Sequence, residues 1–306
     1  MIVEILLNVV LPVFVLIIAG SLMQRLFQLD LYTLSKINFY YITPAVVFMS
    51  LYQSNISLEL LGSVALFYGL YIGVLYIFCF ILTRSLKYPS SMKAAFTNSV
   101  LLDNSGNYGL PINQLVFAGS PLAASIQALL MSFQSLLTFT YGVISIQGAR
   151  LSGNYRSVII GFLKIPVPYA LVLGFLCHAF AVPLPNFVTQ PLGYIQNSMV
   201  AVALLTLGAQ IVKYPLRLGR PAIYFSMILR LIAAPVIGYL LILVLGLKGI
   251  PAQALLIASG MPTGVNSAIL AEEYRNEPDF AAQTVLVSTI LNIVTVTVLI
   301  TISGHL

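Results

Sequence analysis

Long stretches without a charged residue constrain this sequence more than any other feature. A helix needs about 20 such residues to cross a bilayer. A soluble surface would need far more charge than the 7% that this chain carries. A β-barrel is excluded, because barrel strands alternate polar and apolar residues and these runs do not. The sequence therefore predicts an all-α polytopic membrane protein, on the basis of these stretches: Ile5–Gln24, Ile37–Leu58, Leu60–Thr83, Asn104–Ala149, Ile165–Val212, Leu231–Leu247, Gly249–Ala271 and Phe280–Leu306.

The breaks between and within these stretches predict ten transmembrane helices. The two longest stretches are each divided by residues that favour turns, at Gly119–Pro121 and Val182–Asn186. The predicted spans are about 4–23, 34–53, 59–83, 92–118, 121–147, 163–182, 189–212, 221–246, 250–273 and 279–303.

The basic residues fall on one side of this arrangement. With ten spans, 12 of the 14 lysines and arginines lie in alternate loops, whereas Lys248 lies in an opposite loop and Arg230 lies inside the eighth span. The positive-inside rule makes the basic side cytoplasmic. We therefore expect a multi-pass protein of the cell membrane, in contact with the lipid bilayer, with both termini outside. This sidedness explains the net charge of +6, so we expect no nucleic-acid partner.

One offset of 154 residues relates the two halves of the chain, 1–150 and 151–306. Each half holds five spans, and five is odd, so the second half must cross the membrane in the opposite sense. That arrangement is the inverted repeat of secondary transporters. The offset is carried by three matches: Pro12 with Pro166, Gly20 with Gly174, and Ser105–Gly106 with Ser259–Gly260.

Two spans contain residues that do not suit an apolar helix. The fourth is predicted to break across Asn104–Pro111 and the ninth across Gly260–Asn266. Asp103, Arg230 and Pro262 each lie 10 or 11 residues from a residue that marks the end of a span, which is roughly 15 Å of helix and about half of the membrane core. A half-helix that restarts there presents unpaired N–H groups and a positive dipole end, so two such ends predict an anion site.

The candidate site residues come from these breaks. Asp103 is open to two interpretations, an ion-coupling site or a structural residue that pairs with Arg230 or caps the broken helix. Arg230 is likewise open between attracting the substrate and neutralising Asp103. The substrate-binding candidates are Asn104, Asn107, Asn266, Thr263 and Gly264, and the residues expected to shape the crossing are Gly109, Pro111 and Pro262.

Five segments together resemble the auxin efflux carrier family, which includes bacterial organic-acid permeases and plant PIN carriers. The resemblance covers essentially the whole chain, although the loop Ala149–Leu163 is short and Asp103 has no clear match in the plant pattern. The segments are Leu11–Gly20, Ile37–Phe48, Asn104–Pro111, Arg230–Pro235 and Met261–Tyr274.

The resemblance implies a fold like that of bile-acid and sodium–proton transporters. Scaffold helices would lie at about 4–53 and 163–212, and transport-domain helices at about 59–147 and 221–303. It also implies that Asn104 contacts substrate, that Pro111 and Pro262 lie where the broken helices cross, and that the scaffold can form a homodimer. The substrates implied are small organic acids, namely auxin in plants and malate-like or malonate-like acids in bacteria.

The leading functional hypothesis is a carrier of small organic anions that works by alternating access, without cofactor or metal. A sodium- or proton-coupled symporter is the alternative, with Asp103, Asn104 and carbonyls of the ninth span holding the cation. An intramembrane enzyme is disfavoured, since a metalloprotease would need His-Glu-x-x-His and the chain has only His178 and His305. A channel is a remote alternative, because paired broken helices are typical of carriers.

Overall fold

A computed structural model describes Leu7 and residues 11–53, 57–117, 120–148, 166–212 and 219–306. The predicted beginning of the first span, the loop Ala149–Leu163 and part of the basic loop before Pro221 lie outside these residues. The described residues are almost entirely helical, as the apolar stretches predict. Within them, π-helical turns interrupt the α-helices at Ile37–Ile42, Ser105–Gly109, Thr138–Gly142 and Leu229–Ala233.

We number the α-helices in the described part of the chain in order. They are α1 Leu11–Phe27, α2 Leu31–Lys36, α3 Thr43–Tyr52, α4 Leu58–Ser85, α5 Ser90–Leu101, α6 Leu110–Val116, α7 Pro121–Leu137, α8 Val143–Gly148, α9 Pro166–Ala179, α10 Asn186–Val212, α11 Pro221–Ile228, α12 Ala234–Val244, α13 Gly249–Ser259, α14 Val265–Glu273 and α15 Pro278–Ser303.

Five helical segments of the described chain are long and apolar enough to cross a membrane by themselves. They coincide with the predicted third, fifth, seventh, eighth and tenth spans: Leu58–Ser85, Pro121–Ile146, Asn186–Val212, Pro221–Val244 and Pro278–Ser303. Shorter apolar helices, among them Leu11–Phe27, Pro166–Ala179 and Gly249–Ser259, overlap three of the other predicted spans. The full count of ten stays a prediction.

The interruption of the fourth span is shorter than the sequence suggested. Helix α5 ends at Leu101 and helical structure resumes at Ser105, so the break comprises Leu102–Asn104 and not Asn104–Pro111. Asn107 and Gly109 lie in the π-helical turn Ser105–Gly109. Polar residues and glycines that looked like a break therefore form a wider helical turn.

Two local features explain why helix resumes so early. The side-chain amide of Gln127 donates to the carbonyl of Ser105 at 2.8 Å, which satisfies the backbone at the start of the turn. Pro111 directly follows the π-helical turn Ser105–Gly109, as the second residue of α6, and local π-helical adjustments are one way in which membrane helices accommodate a proline. Pro111 therefore lies within helical structure and not in the break.

The ninth span is interrupted between Ser259 and Val265. Asn266 therefore lies in the first turn of α14, just beyond the break. The helix ends at Leu101 and Ser259 are 158 residues apart, and the restarts at Ser105 and Val265 are 160 apart. Since these spacings exceed 154 by more than one helical turn, the predicted match of Ser105–Gly106 with Ser259–Gly260 does not align equivalent positions.

The chain divides into two compact units, the first of which comprises Met1–Val64, Ser105–Ser132 and Ile165–Lys213. In it α1 packs along α10 through glycines. A Cβ atom on Gly20 would overlap the Leu205 carbonyl, and one on Gly208 would overlap the Ile17 carbonyl. Small residues of this kind let backbones approach closely in a membrane, where lipid is as apolar as the helices.

The second unit comprises Ala65–Asn104, Phe133–Lys164 and Tyr214–Leu306. Helix α15 is central to it and packs against α5, α11, α13 and α14. Both segments that interrupt the helices, 102–104 and 260–264, belong to this unit. The fold therefore places the two breaks in one compact body.

Candidate functional site

The two breaks pair with each other backbone to backbone. The amide of Asn104 donates to the carbonyl of Pro262 at 2.8 Å, and the amide of Gly264 donates to the carbonyl of Leu102 at 2.7 Å. Asp103 and Thr263 face each other in this short antiparallel bridge. Backbone groups that leave a helix inside a membrane need partners, and here each break supplies partners to the other.

Gly264 makes this pairing sterically feasible. A Cβ atom at this position would overlap the carbonyl oxygen of Asp103 and would lie 3.1 Å from the carbonyl oxygen of Leu102. The position therefore needs a residue without a side chain, and the role predicted for Gly264 in substrate binding stays a prediction.

Thr263 connects the bridge to the helices on either side. Its amide donates to the Ser288 hydroxyl at 3.0 Å, and its own hydroxyl donates to the carbonyl of Ser99 at 2.7 Å. The side chain is fully buried. Thr263, another predicted substrate-binding residue, is thus held in place by α5 and α15.

Arg230 lies beside the ends of the two half-helices and has no exposed surface. Its guanidinium donates to the carbonyls of Met261 at 2.8 Å and Val100 at 2.9 Å, to the carbonyl of Ser259, and to the hydroxyl of Tyr71 at 2.9 Å. The π-helical turn Leu229–Ala233 carries this side chain. Turns of this kind are frequent at functional sites.

Helix dipoles explain why a cation is stable in this position. Helices α5 and α13 both end here, at Leu101 and Ser259, and a helix C-terminus carries partial negative charge on its unpaired carbonyls. The guanidinium spans both ends with several donors at once, which a lysine could not do.

Asp103 completes the charge balance around Arg230. Its carboxylate Oδ2 lies 4.0 Å from Nη2 of Arg230, and both side chains are buried. The sequence left Asp103 and Arg230 open between coupling and structural pairing, and this geometry makes them an ion pair.

Asn104 differs from its neighbours in having a donor without a protein partner. The residue is 5% exposed, and its Nδ2 has no hydrogen-bond partner among the described residues. Its backbone amide is fixed to Pro262, so the side chain is anchored at its base. Asn266, in the first turn of α14, is half-buried.

The remaining candidates lie in the first unit. Asn107 is half-buried in the π-helical turn, whereas Gly109 and Pro111 are buried at its end. The hydroxyl of Tyr108 and both amide atoms of Asn113 are buried without a hydrogen-bond partner in the described part of the chain. Neither Tyr108 nor Asn113 was singled out from the sequence.

Several residues that support the site were also missed. Two residues of α15 hydrogen-bond to the break of the ninth span. Ser288 accepts from the amide of Thr263, and the side-chain amide of Asn292 donates to the carbonyl of Gly260 at 2.7 Å. Their spacing of four residues places them on one helix face, and this shared face was a usable signal among the several polar residues of the span. Tyr71 carried no such signal, because it is one of 17 tyrosines.

Comparison with known proteins matches part of the chain to a described protein family. Residues 150–300, about half of the chain, match the family described as membrane transport protein. This part of the chain is therefore similar to a membrane transport family, in agreement with the auxin-efflux-carrier resemblance. The resemblance stated from the sequence is thereby confirmed, and the apolar helices belong to a membrane protein.

Relatives of the chain carry consistent names. It is 24% identical over 293 residues to an uncharacterized transporter of Methanothermobacter thermautotrophicus, covering 93% of this chain and 94% of the relative. It is 22% identical over 299 residues to an uncharacterized transporter of Methanocaldococcus jannaschii, covering 94% and 96%. It is 24% identical over 156 residues to auxin efflux carrier component 6 of Arabidopsis thaliana, covering 49% of this chain and 26% of that protein.

Proposed function

We propose that this transporter carries small organic anions by alternating access and binds the substrate carboxylate at the side chain of Asn104. The observation that carries the proposal is the buried Nδ2 of Asn104 beside the backbone bridge, which has no hydrogen-bond partner among the residues that the structure describes. A buried donor without a partner costs about 1–3 kcal/mol. A substrate oxygen that accepts from this amide would recover that cost when it binds.

The surrounding charges favour an anion. The carboxylate of Asp103 is balanced by Arg230, and α14 begins directly after the bridge at Val265. The first amides of a helix have no intrahelical partner and carry partial positive charge. A carboxylate beside Asn104 and Asn266 would meet donors and a positive helix end together.

The antiparallel bridge also supports the inverted-repeat architecture that we propose for the chain. Segments 102–104 and 262–264 run in opposite directions where they pair, as breaks in two inverted halves would. In such carriers one group of helices moves against another around a site at the repeat interface. The ten spans, the division into scaffold and transport helices, the scaffold homodimer and the outside location of both termini belong to the same proposal.

The geometry favours a carrier without sodium coupling over the symporter alternative. A sodium site at the breaks would need several oxygen ligands. The carbonyls of Val100, Ser259 and Met261 already accept from Arg230, and the carbonyl of Gly260 accepts from Asn292. The guanidinium of Arg230 therefore supplies the positive charge that a bound sodium ion would otherwise bring to these carbonyls.

Currents from proteoliposomes on solid-supported membranes test the proposal. Malate, malonate and indole-3-acetate are offered in turn, with sodium or choline as the cation. We expect a saturable current for at least one acid, independent of sodium and lost in Asn104→Ala and Asn104→Asp. Asn197→Ala, at an exposed position of α10, is the control and should keep the current. A strict sodium requirement, or full activity in both Asn104 variants, would overturn the assignment.

A further inference from the structure

A cavity lies in the second unit, among residues that take no part in the bridge. It has a volume of about 280 Å³ and opens between α4, α5 and the segment that leads into α8. Its walls carry hydroxyl groups, three aromatic rings and one charged group. The lining residues that carry these groups include Tyr76, Phe80, Thr83, Ser90, Lys93 and Tyr141.

The charge in this cavity is positive. Lys93 is an exposed lining residue and forms no ion pair with the residues that the structure describes. Arg84 lies in the last turn of α4 and Lys87 in the short connection to α5, and no carboxylate lines the cavity. Between residues 60 and 102 the sequence holds three basic residues and no acidic one.

One wall of the cavity belongs to a lipid-facing surface. Tyr76 and Phe80 on α4 are 42% and 51% exposed, and their neighbours Ile77, Phe78 and Ile81 are exposed to a similar degree. Because α4 is a spanning helix, acyl chains must cover these side chains in a membrane. The cavity therefore joins an apolar surface to a cationic, hydroxyl-rich end.

The position along the helix fits the headgroup region of a bilayer. The cavity lies where α4 ends at Ser85 and α5 begins at Ser90, which is the level at which phosphates of surrounding lipids lie. Basic pockets between transmembrane helices bind anionic headgroups, and each nearby lysine or arginine contributes about 1 kcal/mol.

We propose that this cavity binds the headgroup of an anionic phospholipid. Lys93 faces the phosphodiester, hydroxyl groups such as that of Ser90 hydrogen-bond its oxygens, and the acyl chains lie along Tyr76 and Phe80. The proposal does not depend on which organic anion the protein carries, since none of these residues belongs to the bridge around Asn104.

Native mass spectrometry of the full chain in neutral detergent tests this site. Phosphatidylglycerol and phosphatidylcholine with the same acyl chains are titrated separately. We expect tighter binding of phosphatidylglycerol, a roughly fivefold loss of that affinity in Lys93→Gln, as expected for removing one basic residue, and retention in Lys93→Arg. Lys248→Gln, at an exposed lysine outside the cavity, should bind as the unmodified protein does.

A charge reversal provides an independent test. Ser90→Glu puts a carboxylate in the cavity at the first residue of α5, where a negative charge suits the helix dipole and folding should be preserved. We expect it to abolish the preference for phosphatidylglycerol. Equal binding of the two lipids by the unmodified protein, or no effect of Lys93→Gln and Ser90→Glu, would overturn the proposal. Displacement of the lipid by millimolar glycerol phosphate would instead identify a site for soluble phosphates.

Discussion

The guanidinium Nε of Arg230 lies 2.8 Å from the carbonyl oxygen of Met261, in a part of the structure from which solvent is excluded. This contact joins the π-helical turn that carries Arg230 to the break of the ninth span. Further donors of the same group reach the carbonyls of Val100 and Ser259. One side chain thus satisfies backbone groups from both interrupted helices, and the pairing of the two breaks depends on it.

Replacing Arg230 by glutamine should destabilise the protein strongly. The change leaves the Asp103 carboxylate and the helix-end carbonyls without a cation, and breaking a buried ion pair costs about 3–5 kcal/mol. Arg220→Gln is the matched control, because Arg220 pairs with Glu277 at an exposed site and such pairs contribute about 0–1 kcal/mol. Thermal unfolding in detergent measures both changes, and a similar loss in the two variants would contradict the prediction.

The same variant should acquire a response to sodium. In Arg230→Gln the carboxylate of Asp103 and the released carbonyls form a set of oxygen ligands of the kind that hard cations prefer. We expect its unfolding temperature to be higher in sodium chloride than in choline chloride at equal ionic strength. The unmodified protein should show no difference between the two salts, because its guanidinium occupies that position.

Asp103→Asn should preserve transport and its pH profile. The amide is close in size to the carboxylate, and Arg230 keeps its bonds to Met261, Val100 and Tyr71. We expect a moderate loss of thermal stability and unchanged dependence of the current on pH between 5 and 8. A current that loses its pH dependence or becomes sodium-dependent in this variant would assign Asp103 to ion coupling instead.

Gly264→Ala should abolish transport and lower stability, because its Cβ would overlap the carbonyl oxygen of Asp103. The backbone bridge between the breaks would have to separate. Gly69→Ala is the matched control, since a Cβ on this glycine of α4 meets no atom within 4 Å. In a helix, alanine is favoured over glycine by about 1 kcal/mol, so the control should be at least as stable as the unmodified protein. Initial currents and unfolding temperatures distinguish the two variants.

The sequence was sufficient to predict that the fourth and ninth spans break. It also predicted a similar depth for Asp103, Arg230 and Pro262, and the structure brings the side chains of Asp103 and Arg230 within 4.0 Å of each other. Charge, proline and glycine are costly in an apolar helix, so their positions carried that information. The extent of the break before Pro111 was predicted wrongly. The end of the break depends on the side chain of Gln127, which donates to the Ser105 carbonyl. Gln127 lies 16 residues beyond Pro111 in the sequence. Contacts between segments distant in the sequence also explain why Tyr71 could not be found.

The bond between Ser288 and Thr263 offers the most specific test of how α15 supports the bridge. In Ser288→Ala the amide of Thr263 loses the hydroxyl that accepts from it at 3.0 Å, and a buried unsatisfied donor costs about 1–3 kcal/mol. Ser303→Ala is a close control on the same helix. Each hydroxyl donates to the carbonyl three residues earlier in its own helix, Val285 for Ser288 and Ile300 for Ser303, so both variants lose an equivalent bond. We expect a larger fall in unfolding temperature and a weaker organic-anion current in Ser288→Ala. Equal behaviour of the two variants would mean that the bridge is held without α15.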